Sequence, residues 1–136
     1  MSAAIAPVLA LVALAFGLLF WMGALRNLAL LRGQARLGEA ALGEAIWPRR
    51  ARLVGNAFHN QLELPPLFYA LVLFVLATDA WTGADAILAW IFVATRYAHA
   101  AVHVTTNDVR LRGPLFVAGA LVLLGHWAWF GWRALA

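Results

Sequence analysis

Four apolar stretches, each about as long as a lipid bilayer is thick, dominate this chain and leave little of it for anything else. The first, Ala3 to Leu25, carries no charge until Arg26, and one bilayer crossing takes about 20 residues. Apolar residues make up 65% of the 136 and charged residues only 12%. Soluble domains sit nearer half apolar and a quarter charged. The composition therefore implies an all-α integral membrane protein, a single four-helix transmembrane domain over residues 1–136 with no separate soluble catalytic domain. Any chemistry has to use groups in or beside the membrane. The absence of cysteine excludes disulfides, thiol nucleophiles and cysteine-ligated metals.

The first run lacks the basic leading segment of a secretory signal, so it is expected to be a retained helix. Arg32 to Trp47 follows, with Gly33, Gly38, Glu39, Gly43 and Glu44, and its glycines and charges predict a connecting loop. A second helix is expected from Pro48, a residue suited to a first turn, to Ala77. Asp79, Thr82, Gly83 and Asp85 read as a short acidic turn. The third helix is expected over Ala84 to Thr106, a second turn over Asn107 to Gly113, and the fourth helix over Pro114 to Arg133. Six tryptophans, Trp21, Trp47, Trp81, Trp127, Trp129 and Trp132, fall near these ends, as in interfacial aromatic belts.

All ten basic residues are arginine. Arg26, Arg32, Arg36, Arg49, Arg50, Arg52, Arg110 and Arg112 flank the connections on one side of the bilayer, and Arg133 alone lies on the other. The positive-inside rule then places both termini outside the cytoplasm. In so apolar a chain the arginine surplus is expected to set orientation and to contact lipid, not nucleic acid.

The informative residues interrupt the spans. On the second helix Arg52, Asn56, His59, Asn60 and Glu63 recur at helical spacing and share one face. On the third, Arg96, His99 and His103 do the same, with Arg110 two turns further on. Counted from the outer helix ends at about 1.5 Å per residue, Glu63 lies about 21 Å deep and Arg96 about 18 Å. His59 and His103 come out at about 27 and 28 Å, near the far boundary of a hydrocarbon core of about 30 Å. Polar groups at such depths usually face the bundle interior and find partners. The expectation is a polar cleft open to the cytoplasm and closed at its base by a Glu63–Arg96 pair. Plainer roles remain open: a structural ion pair that fixes register, asparagines that hydrogen-bond between helices, and core histidines. His99 and His103 at i, i+4 are a weak signal for a metal or haem, and no metal site is expected.

The stretch HNQLELPPLF, with Asn60, Glu63, Pro66, Leu67 and Phe68, resembles the N-x-x-E-x-x-P-hydrophobic signature of the MAPEG family, the membrane-associated proteins in eicosanoid and glutathione metabolism. RYAHAAVH, followed by an arginine-containing turn before Pro114, is similar to that family's third-helix segment. The resemblance implies a homotrimer of four-helix subunits that binds glutathione as co-substrate between neighbouring subunits at the cytoplasmic side. By position, Asn60 and Glu63 match glutathione-contacting residues, and Arg96 and His99 match third-helix binding positions. Arg110 matches the arginine that stabilises the glutathione thiolate, with Arg112 competing because the turn is one residue longer. His103 stands where several members carry a tyrosine, and Asn56 where a basic residue is frequent. The candidate binding set is therefore Arg52, Asn56, Asn60, Glu63, Arg96, His99 and His103, with Arg110 and Arg112 as catalytic candidates.

Three readings stay open. The chain is a membrane glutathione transferase or peroxidase acting on lipophilic electrophiles, or a non-catalytic lipid-binding or scaffold member of the same fold, or a small proton-coupled exporter. Four-helix exporters of similar size carry their membrane glutamate in the first helix, and the first helix here has none.

Overall fold

A computed structural model describes residues 2–36, 38 and 46–136. The described residues are helical almost throughout. Their elements are α1 (Ser2–Leu31), α2 (Arg49–His59), a 3-10 turn (Asn60–Leu62), α3 (Leu64–Ala77), α4 (Gly83–Val104) and α5 (Val109–Leu135). Four helical segments are long and apolar enough to cross a membrane: Ala3–Leu31, Arg49–Ala77, Gly83–Val104 and Val109–Leu135. The chain is thus a multi-pass membrane protein, and large apolar side chains such as Phe20, Leu73 and Leu121 are exposed on the outside of the bundle, where lipid replaces water as the solvent.

The ends of the elements differ from the sequence expectations in instructive ways. Helix α1 runs six residues past Leu25 to Leu31, since Arg26 by itself does not stop a helix. Its stop is Gly33, which takes φ +66° while its N–H reaches the Leu30 carbonyl at 3.0 Å and Gln34 N–H reaches Ala29 at 2.9 Å. That closure needs a left-handed residue, which glycine supplies without strain. The connecting loop expected over Arg32–Trp47 lies only partly within the described residues, with Glu39, Gly43 and Glu44 outside them. The second span is not one continuous helix. Pro65 and Pro66 have no N–H to offer the carbonyls four residues back, and each disfavours helical backbone in the residue before it. The chain accordingly tightens into the 3-10 turn and passes through Glu63 at φ −94°, ψ −82° before α3 begins. At the fourth span the expected start at Pro114 comes five residues late. Helix α5 begins at Val109, capped by the Asp108 carboxylate, which accepts from the Arg110 N–H at 2.9 Å.

The core is layered along the bundle. Leu11, Phe68, Leu71, Val75, Phe92 and Leu123 pack together at the end near the termini, where the Phe68 and Phe92 rings stack with centroids 5.1 Å apart. Leu18, Met22, Val54, Ala57 and Ala100 form the middle, and Ala29, Ala35, Trp47 and Ala51 the arginine-rich end. Between α4 and α5 the backbones come close at Gly119. A Cβ there would lie 2.8 Å from the Thr95 hydroxyl oxygen, so only glycine fits without displacement.

The Asp85 side chain, in the turn that the sequence marked as acidic, is fully buried. Its Oδ2 accepts from the Thr82 N–H at 2.8 Å, completing a capping box at the start of α4. Its Oδ1 is shared by Arg133 Nη2 at 2.8 Å and His126 Nε2 at 3.0 Å. Arg133 also donates to the Ala80 carbonyl at 2.7 Å and stacks on Trp129. One carboxylate thus ties the start of α4 to the end of α5.

Candidate functional site

A cavity of about 370 Å³ opens beside the break in the second span, lined by Asn60, Glu63, His99, His103, Arg112, Gly113, Phe116 and Val117. Small-molecule sites typically hold about 300–1,000 Å³. Its walls follow from the local folding described above. Helix α4 carries His99 and His103 one turn apart on its buried face. The early start of α5 brings Arg112 and, one turn later, Phe116 opposite them. The proline-induced break presents Asn60 and Glu63 from the remaining side.

Arg112 is the best-anchored cation in the cavity wall. Its Nη1 donates to Asn107 Oδ1 at 2.5 Å and lies 3.2 Å from His103 Nε2. A guanidinium has no acceptor, so His103 Nε2 accepts and is the unprotonated ring nitrogen. Asn107 takes a left-handed backbone, φ 54°, and closes the turn between α4 and α5. The same residue therefore shapes the turn and aims the arginine. His99 Nδ1 donates to the Arg112 carbonyl at 3.1 Å, because a carbonyl only accepts, which leaves His99 Nε2 buried with no protein partner.

Arg96 adjoins the cavity at Phe116 without lining it. It is fully buried, donates from Nη2 to the Asn60 carbonyl at 3.0 Å and sits 5.6 Å from the centre of the Phe116 ring. The 3-10 turn leaves a carbonyl available to a neighbouring helix, the usual way a broken helix is re-satisfied inside a membrane. Arg96 Nε and Nη1 are buried without a protein partner. Buried, unpaired guanidinium N–H groups beside a cavity favour an anionic oxygen there. The Glu63–Arg96 pair expected to close the cleft is not a direct one, although the Glu63 carboxylate still acts on Arg96 through its charge. Among the described residues no ion pair joins them, and Glu63 is exposed at the cavity's edge while Arg96 turns to backbone.

Of the sequence candidates, Asn60, Glu63, His99, His103 and Arg112 converge on this cavity, and Arg96 adjoins it. Arg52 and Asn56 do not. Together with His59 they are exposed on the outside of α2, because the face that α2 turns into the subunit is Ala51, Leu53, Val54, Gly55 and Ala57. The expectation that the whole polar stripe faces the bundle interior fails within one subunit for that reason. Arg110 is exposed as well, since a helix starting at Val109 puts residues 110 and 112 about 200° apart and only Arg112 meets α4.

Sequence reasoning missed Asn107, Phe116 and the Asp85–His126–Arg133 cluster. Phe116 lies four residues after Arg112, and His126 lies seven before Arg133, both helical same-face spacings. An antiparallel α4–α5 hairpin also sets Asp85 level with Arg133. Those signals become usable only once the start of α5 is fixed.

No curated protein and no solved structure matches the chain. The family model described as "MAPEG family" matches residues 4–132, which reaches into all four spans and takes in every residue of the cavity, and the chain therefore belongs to the MAPEG family.

Proposed function

We propose that the protein is a membrane glutathione transferase or peroxidase, taking glutathione as co-substrate and a lipophilic electrophile from the bilayer. The observation that carries this reading is Arg112, fixed in the cavity wall by Asn107 and His103, in a cavity that Arg96 adjoins with N–H groups left unpartnered. Glutathione carries two carboxylates, an ammonium group and a thiol. In this reading Arg96 and the Asn60 amide hold the carboxylate end, Glu63 receives the ammonium group, and Arg112 faces the sulfur.

A guanidinium stays charged at every relevant pH and favours the thiolate over the thiol. The thiol proton leaves to solvent, the sulfur lone pair attacks the electrophilic carbon, and the leaving group departs with its bonding electrons. Positioning and charge stabilisation are all that Arg112 and the cavity need to supply. Phe116 and the exposed Val117 give the cavity an apolar edge toward lipid, the route for the second substrate.

The reading extends to assembly. Arg52, Asn56, His59 and Glu63 form an exposed polar face on the second span, and Glu63, which lies well inside the hydrocarbon core, requires a partner there. A neighbouring copy in a homotrimer supplies that cover and completes the site between subunits. The arginine bias places the site at the cytoplasmic side with both termini outside.

One observation favours a non-catalytic lipid-binding or scaffold role instead: Nη1 of Arg112 is already shared between Asn107 and His103, which occupies part of its donor capacity. Incubation of the purified protein with glutathione and a chromogenic electrophile decides between the two. Enzyme-dependent conjugation supports the transferase. Millimolar glutathione with neither binding nor turnover overturns it in favour of the scaffold.

A further inference from the structure

A second cavity, of about 440 Å³, runs between α1 and α4 and shares no residue with the first. Gly17, Leu18 and Trp21 form its α1 wall, and Tyr97, Ala101 and Val104 its α4 wall. These α4 residues lie on the opposite side of the helix from His99 and His103. The Tyr97 hydroxyl, the polar group on that wall, is already used, donating to the Ala10 carbonyl at 2.8 Å. The groove is therefore apolar along its length. It is also open at its floor, where a Cβ added to Gly17 would meet nothing within 4 Å.

The two ends of the groove differ. Trp21 lies 18 residues after Ala3, about 27 Å along the first span, so the groove reaches the boundary of a hydrocarbon core of about 30 Å. At that end the Arg50 guanidinium sits 5.6 Å from the centre of the Trp21 ring. Arg50 is exposed, flanked by exposed Arg49 and Arg52, and among the described residues no carboxylate pairs with it. An apolar channel at membrane depth ending under an unpaired cation at headgroup level is complementary to an acyl chain with an anionic head.

We propose that this groove is a binding site for one anionic phospholipid, its acyl chain lying against Gly17 and Ala101 and its phosphate held by Arg50 above Trp21. The site is independent of the reading of the first cavity, since it uses none of those residues.

Tryptophan quenching by brominated lipid tests it. The full chain is reconstituted in phosphatidylcholine vesicles containing either brominated phosphatidylglycerol or brominated phosphatidylcholine, and the Trp21 contribution is taken as the difference from Trp21→Phe. The proposal expects Trp21 to be quenched several-fold more effectively by the brominated phosphatidylglycerol. It expects Arg50→Gln to abolish that preference while leaving quenching by both lipids, and Gly17→Leu, which fills the groove, to reduce quenching by both. Equal quenching of the parent by the two lipids overturns the assignment, as does a preference that survives Arg50→Gln. Trp21 shielded from both lipids also overturns it, because a second copy of the chain then covers the groove.

Discussion

At the scale of single residues, the two arginines that the sequence left in competition have different surroundings. Arg112 is anchored to Asn107 and His103 in the cavity wall, whereas Arg110 is exposed. Arg112→Ala is expected to move the pH dependence of glutathione conjugation upward by about one unit, equivalent to about 1.4 kcal/mol of lost thiolate stabilisation. Arg110→Ala should keep the parent's profile, and a rate–pH series on the two variants checks both. The opposite end of the bundle offers a stability test without any substrate. Removing Asp85 leaves Arg133 and the buried His126 without their shared acceptor, and breaking a buried charge pair costs about 3–5 kcal/mol. Asp85→Ala should therefore unfold at markedly lower denaturant or temperature in detergent than Asp85→Asn, which keeps an acceptor oxygen.

At the scale of elements, two local rules place the site. Paired prolines break the second span and present the Asn60 carbonyl to Arg96, and the Asp108 cap starts α5 early enough to bring Arg112 into the cavity. Asn107 joins these rules because it both adopts the left-handed turn and clamps Arg112. Asn107→Gly keeps the backbone conformation and loses the clamp. It should leave thermal stability near the parent's while lowering kcat for conjugation, and a parallel melt and kinetic assay separates the two effects. The α4–α5 contact is tested by Gly119→Ala, where the new methyl meets the Thr95 hydroxyl. Overpacking of this kind costs about 1–3 kcal/mol. Thr95→Ala in the same chain should restore most of the loss and Thr95→Ser, which keeps the oxygen, should not.

At the scale of the whole molecule, the subunit leaves a polar stripe of its second span exposed. Arg52, Asn56, His59 and Glu63 lie on its outer surface, and in the proposed homotrimer a neighbouring copy covers them. Cross-linking in native membranes should yield a species of three chains. Replacing the polar face by leucines at 52, 56 and 59 should weaken it, and a cross-linked ladder that stops at monomer would remove the basis for an inter-subunit site. Topology is read with C-terminal reporter fusions: an exported reporter should be active and a cytoplasmic one silent, as the arginine distribution predicts.

Much of this protein was legible in its sequence because the bilayer imposes long-range rules that one residue at a time can satisfy. Apolar length predicts four crossings, and the motif around Asn60, Glu63 and Pro66 carried the family. His99 and His103 could be placed on one helical face from spacing alone. Other features depend on how helices pack. The sequence shows that Arg52 to Glu63 share a face but not that this face points away from its own subunit, which follows from the small residues Ala51, Gly55 and Ala57 packing inward. It brings Glu63 and Arg96 to one depth, but the choice of a backbone carbonyl over a carboxylate rests on where the proline break turns Asn60. Only the tertiary structure joins Asp85 to His126 and Arg133 across 41 and 48 residues. A hydrogen bond is decided by angles and distances of a few tenths of an ångström, and spacing along the chain fixes only which side of a helix a residue occupies.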